Sequence, residues 1–205
     1  MSDGKSIDEN LRHELLEMVA EDNATREELA ADGSLFEGYH PRMEAVHRRN
    51  SARLSAIFDA CGWPGLSLAG EDGEGAAWLI VQHAIGEPAF QRRGLELLKE
   101  AAARAEAPEW QVAYLEDRIR ACEGRPQIYG TQYDWDENGE MSPYPRIEDA
   151  EHVNERRRAA GLATLEENLA RMRAQAASSA ERPPSDLAKR RKGEDDWARK
   201  VGWRD

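Results

Sequence analysis

The chain has 205 residues, a net charge of −12 and a mean hydropathy of −0.80. Leu, Ile, Val and Phe supply only 33 residues, 16% of the chain, which is below the roughly 20% that marks disorder in highly charged sequences. With 31 Ala, 6 Trp and 5 Tyr the apolar share still reaches 40%, so any core must be built from helical alanines and a few large rings. No apolar run approaches the roughly 18 residues of a membrane span, and two cysteines, Cys61 and Cys122, are too few for a disulfide scaffold. Residues 1–10 lack the apolar stretch of a secretory signal, so a cytoplasmic protein is expected.

In chain order, residues 7–31 read as an amphipathic helix closed by Asp32-Gly33-Ser34. A second helix is predicted over 42–60, stopped by Cys61-Gly62-Trp63-Pro64-Gly65. A loop over 66–75 leads to a short apolar helix at 76–85, which Gly86-Glu87-Pro88 breaks. Pro88 and Pro108 suit the first positions of helices at 88–105 and 108–124. Residues 125–147 carry three prolines and β-formers around Asn138-Gly139, the pattern of an irregular hairpin or ordered loop. Two last helices are predicted at 149–160 and 164–176. The expected fold is therefore mainly α, a multi-helix orthogonal bundle with one β-hairpin insertion, forming a single domain over 7–176.

After Ala177 the chain reads as linker and tail, with Ser178-Ser179, Pro183-Pro184 and a basic run Lys189-Arg190-Arg191-Lys192. Residues 178–205 hold eight basic and six acidic groups, so the tail carries +2 and the body −14. Such a body repels phosphate, which argues against nucleic acid as a partner. The tail is expected to be mobile and anchored by Trp197 and Trp203, or to dock on the body or on a protein partner through a short terminal helix around those tryptophans.

Helical residues lie about 100° apart, and on that wheel several polar side chains fall where apolar ones belong. Asp22 lies in the stripe of Leu11, Leu15, Met18 and Leu29, with Arg26 one turn on, the spacing of an ion pair. His47 and Asn50 fall among Met43, Leu54, Ile57 and Phe58. Gln82 and His83 interrupt the otherwise apolar third helix. In the fifth, Asp117 shares a stripe with Trp110 and Tyr114, beside Arg118. A buried polar group needs hydrogen-bond partners or costs about 1–3 kcal/mol. Each pair by itself reads as a satisfied structural network; four together suggest a polar cleft. The loop Gln127-Ile128-Tyr129-Gly130-Thr131-Gln132 adds neutral donors and acceptors after a rigid helix.

Standard motifs are absent. Neither G-x-x-x-x-G-K-[ST] nor G-x-G-x-x-G occurs, and no G-x-S-x-G is present. Glu44-x-x-His47 is a single E-x-x-H, whereas carboxylate-bridged di-metal bundles use two. Neither a cofactor nor a metal is expected; His47 is the metal-ligand candidate, and His47 or His83 with Asp22 or Asp117 would form any such site.

Several segments together resemble a widespread bacterial family of uncharacterised domains. They are Cys61-Gly62-Trp63-Pro64, the run Ala76-Ala77-Trp78-Leu79-Ile80-Val81-Gln82-His83-Ala84, Phe90-Gln91, Ala113-Tyr114-Leu115-Glu116-Asp117-Arg118, the loop from Gly124 to Gln132, and Val153-Asn154-Glu155-Arg156-Arg157. The resemblance covers residues 10–175 and implies a shared domain without an assigned reaction.

The misplaced polar residues lead to the expectation of a small enzyme acting on a polar small molecule or a peptide. His83 would be the general acid/base, as imidazole exchanges protons near neutrality, and Asp117 would orient it or share the proton work. Arg118 would meet an anionic group of the substrate. Gln82, Gln127, Tyr129, Thr131, Gln132, Asn50, Asp22 and Arg26 would line the cleft. The alternatives are an acidic interaction module or adaptor for a basic protein, and a small-ligand sensor.

Overall fold

The computed structural model describes residues 6–36, 38–178 and 182–205. Ser179 of the expected linker and residues 1–5 lie outside these described residues. Eight helices are present among them: α1 (Glu9–Ala31), α2 (Pro41–Cys61), α3 (Leu66–His83), α4 (Pro88–Ala102), α5 (Glu109–Cys122), α6 (Val153–Ala159), α7 (Leu165–Ser178) and α8 (Leu187–Val201). The fold is mainly α, with one small antiparallel hairpin of β1 (Tyr133–Trp135) and β2 (Met141–Pro143). No described helix is long and apolar enough to cross a membrane. The chain divides into two compact units, Met1–Pro108 and Glu109–Asp205, whereas the sequence pattern suggests one helical domain and a tail.

The first unit holds α1 to α4. Asp8 caps α1 by accepting from the N–H groups of Asn10 and Leu11, and His40 with Pro41 opens α2, both local devices that satisfy orphan donors at a helix start. The predicted loop at 66–75 is instead the first part of α3, with a break at Gly70 (φ 73°, ψ 174°). Gly70 and Gly73 serve close packing rather than a loop. A Cβ on Gly73 would come within 3.3 Å of Arg12 Cγ on α1. Glu74, fully buried, accepts from Trp63 Nε1 at 3.1 Å, and Trp63 stacks on Phe58, which stacks on Phe90. Gly94 lets α4 sit on α3, since a Cβ there would lie 2.8 Å from Val81 Cγ1. Gln91 then donates to the carbonyls of Val81 and Gln82, satisfying acceptors at the end of α3 that the helix itself leaves open.

In the second unit the hairpin turns at Asn138-Gly139, pairing Tyr133 with Pro143 and Trp135 with Met141. The tail is structured here. Its basic run lies in α8, where Arg190 bonds Asp134 at 2.7 Å and Arg191 covers the Tyr144 ring at 3.5 Å. Trp203 is buried, and Arg204 donates to the carbonyls of Ala121 and Cys122, closing α5. The periodic face missing from the sequence is replaced by arginine contacts, which a hydrophobicity pattern does not register.

Candidate functional site

Three helices of the first unit bring Asp22, His47 and His83 together. On α1, Leu15, Asp22 and Leu29 follow one another at seven-residue intervals along the buried face, so the carboxylate occupies a core position. On α2, Met43, His47, Asn50 and Leu54 share the buried face. His83 is the last residue of α3, where the helix leaves the core. Asp22 is 1% exposed and His47 8%, while the His83 side chain remains 24% exposed. The trio thus runs from the core toward the surface.

Asp22 Oδ2 lies 3.0 Å from His83 Nδ1 and 3.3 Å from His47 Nε2. The first contact is a hydrogen bond. The second lacks hydrogen-bond geometry, and both His47 Nε2 and Asp22 Oδ1 are buried with no hydrogen-bond partner among the described residues. The other imidazole nitrogen of His47, Nδ1, is 2.8 Å from the Tyr39 hydroxyl, with the two rings stacked. Tyr39 is seated against Gly86, where a Cβ would come within 3.1 Å of its ring. Burial favours the neutral form of Asp22, but the flanking imidazoles of His47 and His83 outweigh it and hold the carboxyl well below the usual carboxylate range. Burial, then Glu44 and Glu87, push the Tyr39 hydroxyl upward, so it stays protonated beside His47.

The other expected members of the cleft fall elsewhere. Arg26 is exposed, and the partners of Asp22 are imidazoles, not this guanidinium; the i, i+4 spacing permits a pair, but the core-facing carboxylate turns away from a side chain that reaches water. Asn50 donates to the Met18 carbonyl, a tie between α2 and α1. Gln82 is buried at the end of α3. Glu44 pairs with Arg48 rather than joining His47.

Asp117 does not orient His83, whose Nδ1 partner is Asp22. In the second unit Asp117 accepts from the N–H groups of Ile128, Tyr129 and Thr131 and from the Thr131 hydroxyl. Burial raises its pKa, while those donors pull the other way. Gln127 donates to the carbonyls of Gln132 and Pro145 and accepts from Gln132 N–H. Gln132 Nε2 donates to Thr131 Oγ1. Arg157, 1% exposed, donates to the carbonyls of Tyr129, Gly130 and Ala163. Gln127, Thr131 and Gln132, expected to hold substrate, hold one another, and Arg118 lies half-buried on α5. Neither thiol is primed as a nucleophile: burial lifts Cys61 above its ordinary value and Cys122 to about 11.

Sequence reasoning missed Tyr39, Glu74 and Arg157. Nothing in the periodicity marks Tyr39, because it precedes the α2 cap. Arg157 lies in a short, strongly charged helix whose pattern reads as solvated.

No curated protein and no solved structure matches the chain. Over residues 9–178 it matches the model of DUF6624, a family of unknown function, and so the chain belongs to that family.

Proposed function

We propose that the protein is a small enzyme performing acid–base chemistry at Asp22, His47 and His83 on a polar small molecule or a peptide-like substrate. The observation that carries this reading is a partly exposed imidazole backed by a fully buried carboxylate at 3.0 Å. With Nδ1–H of His83 donated to Asp22, the lone pair sits on Nε2, the nitrogen that would take a proton from substrate or water. The ionised Asp22 then stabilises the imidazolium, the role a buried carboxylate plays behind any histidine base. His47, buried against the same carboxylate, positions it rather than meeting substrate, and Tyr39 orients the His47 ring. A cytoplasmic location accords with two unbridged cysteines.

The test is turnover by the purified chain over a panel of polar ester, amide and phosphoester substrates. His83→Gln is expected to lower the rate by about 10²–10⁴-fold with the fold unchanged by circular dichroism. Full activity in His83→Gln would sink the reading.

A further inference from the structure

We propose that Asp22, His47 and His83 form a binding site for one divalent first-row transition ion of the zinc or iron(II) class. The proposal rests on the reading of this trio as the functional centre and deepens it by naming the ion that the centre takes.

Three observations converge. Each of the three residues offers one donor atom, all within 4.8 Å of one another. The spacings from Asp22 Oδ2 to His83 Nδ1 and His47 Nε2 are 3.0 and 3.3 Å. Two donors bound about 2.0–2.2 Å from one ion in a tetrahedral or octahedral array stand roughly 3.0–3.5 Å apart, so the carboxylate is already near ligand spacing from both imidazoles, and the three donors together need only close in from within 4.8 Å of one another. Second, His47 Nε2 and Asp22 Oδ1 are buried without hydrogen-bond partners among the described residues. An orphaned buried polar atom is costly unless something else satisfies it, and a cation would satisfy both. Third, His47 Nδ1 faces the Tyr39 hydroxyl at 2.8 Å. Ligating histidines characteristically direct their other nitrogen to such a partner, which sets the tautomer and orients the ring. With Nδ1–H donated to the Tyr39 oxygen, Nε2 presents its lone pair toward Asp22.

Two imidazoles and one carboxylate suit zinc or iron(II) better than calcium or magnesium, which prefer all-oxygen shells. Three protein ligands leave coordination positions open, and the exposed edge of His83 places them toward solvent. Loading requires neutral imidazoles, so the ion displaces the proton held between His83 and Asp22, and a bound water replaces His83 as the proton-transferring group.

The experiment is titration of the full, chelator-treated chain with Co2+ alone and Zn2+ alone, followed by visible d–d absorption for cobalt and calorimetry for zinc. One ion per chain is expected. Asp22→Asn and His83→Gln should abolish stoichiometric uptake, and Tyr39→Phe should weaken it about 10–100-fold. His152→Ala, on an exposed aspartate–histidine pair, should bind as the parent does. Circular dichroism identifies any variant that fails to fold; His83→Gln removes a partly exposed side chain and keeps the test open if Asp22→Asn unfolds. Failure of the parent chain to take up either ion overturns the site, as does equal uptake by His83→Gln and Tyr39→Phe. Turnover that persists in chelator and is lost in His83→Gln overturns the metal and keeps the acid–base reading. Ion uptake lost in the variants, without turnover on the substrate panel, keeps the metal site and removes that reading.

Discussion

Asp22 and Asp117 are both buried aspartates on the core face of a helix, and they differ in how their oxygens are used. Asp117 receives three backbone N–H groups and a hydroxyl, so it pins the loop 128–131 to α5. Among the described residues Asp22 has one hydrogen bond, one imidazole at a poor angle and a buried oxygen without a hydrogen-bond partner. A saturated carboxylate is part of the scaffold, because no acceptor capacity is left for a ligand. An unsaturated one bordered by partly exposed histidine is where a ligand gains most, because the cost of its desolvation is already present in the fold.

The largest effect is expected at the saturated site. Asp117→Ala strands the buried Thr131 N–H and the half-buried N–H groups of Ile128 and Tyr129 and should destabilise the chain by about 3 kcal/mol, read by urea unfolding. Next is Arg157→Leu, which removes donors to three carbonyls beneath the same loop; a loss of about 2–3 kcal/mol is expected. By contrast, Asp22→Asn should lower stability by only about 1 kcal/mol while removing function and ion uptake. A loss at Asp22 as large as at Asp117 would break the contrast. The smallest effect concerns the exposed pair Asp149–His152, at 2.9 Å. Asp149 raises the His152 pKa above its ordinary 6.5, so the stabilisation from His152 is full below that value and is lost as pH rises through the folded one. His152 holds Asp149 below its ordinary value, so that contribution is lost as pH falls through the depressed one. NMR titration should show His152 titrating high in the parent and returning to the ordinary range in Asp149→Asn.

Helix starts and stops were legible because their causes are local. Pro41, Pro88 and Gly62 act on their own neighbours, and the Asn138-Gly139 turn closes the hairpin within a few residues. The misreading of 66–75 arose because its glycines look like a loop until Arg12 of α1 packs against Gly70 and Gly73. The site was half legible. The wheels placed Asp22 and His47 on buried faces, as they are, and His83 in a buried helix, where its side chain in fact stays partly exposed. They also paired Asp22 with Arg26 and His83 with Asp117, because a wheel shows which way a side chain points within its own helix and nothing about what stands opposite.

The sequence by itself therefore determined the helical class, the hairpin and the inward placement of several polar residues, among them Asp22, His47 and Asp117, all consequences of periodicity and local backbone preference. Only the tertiary structure decided their partners. Asp22 meets a histidine 61 residues away, while Gln127 and Thr131 close a network with Asp117 and Gln132 that uses their hydrogen-bonding capacity. The physical reason is that burial is set by an element's own pattern, whereas hydrogen-bond satisfaction depends on which other element arrives. Low aliphatic content thus has two sources here, a polar network that holds a loop and a trio of ligand-like side chains left open in the first unit.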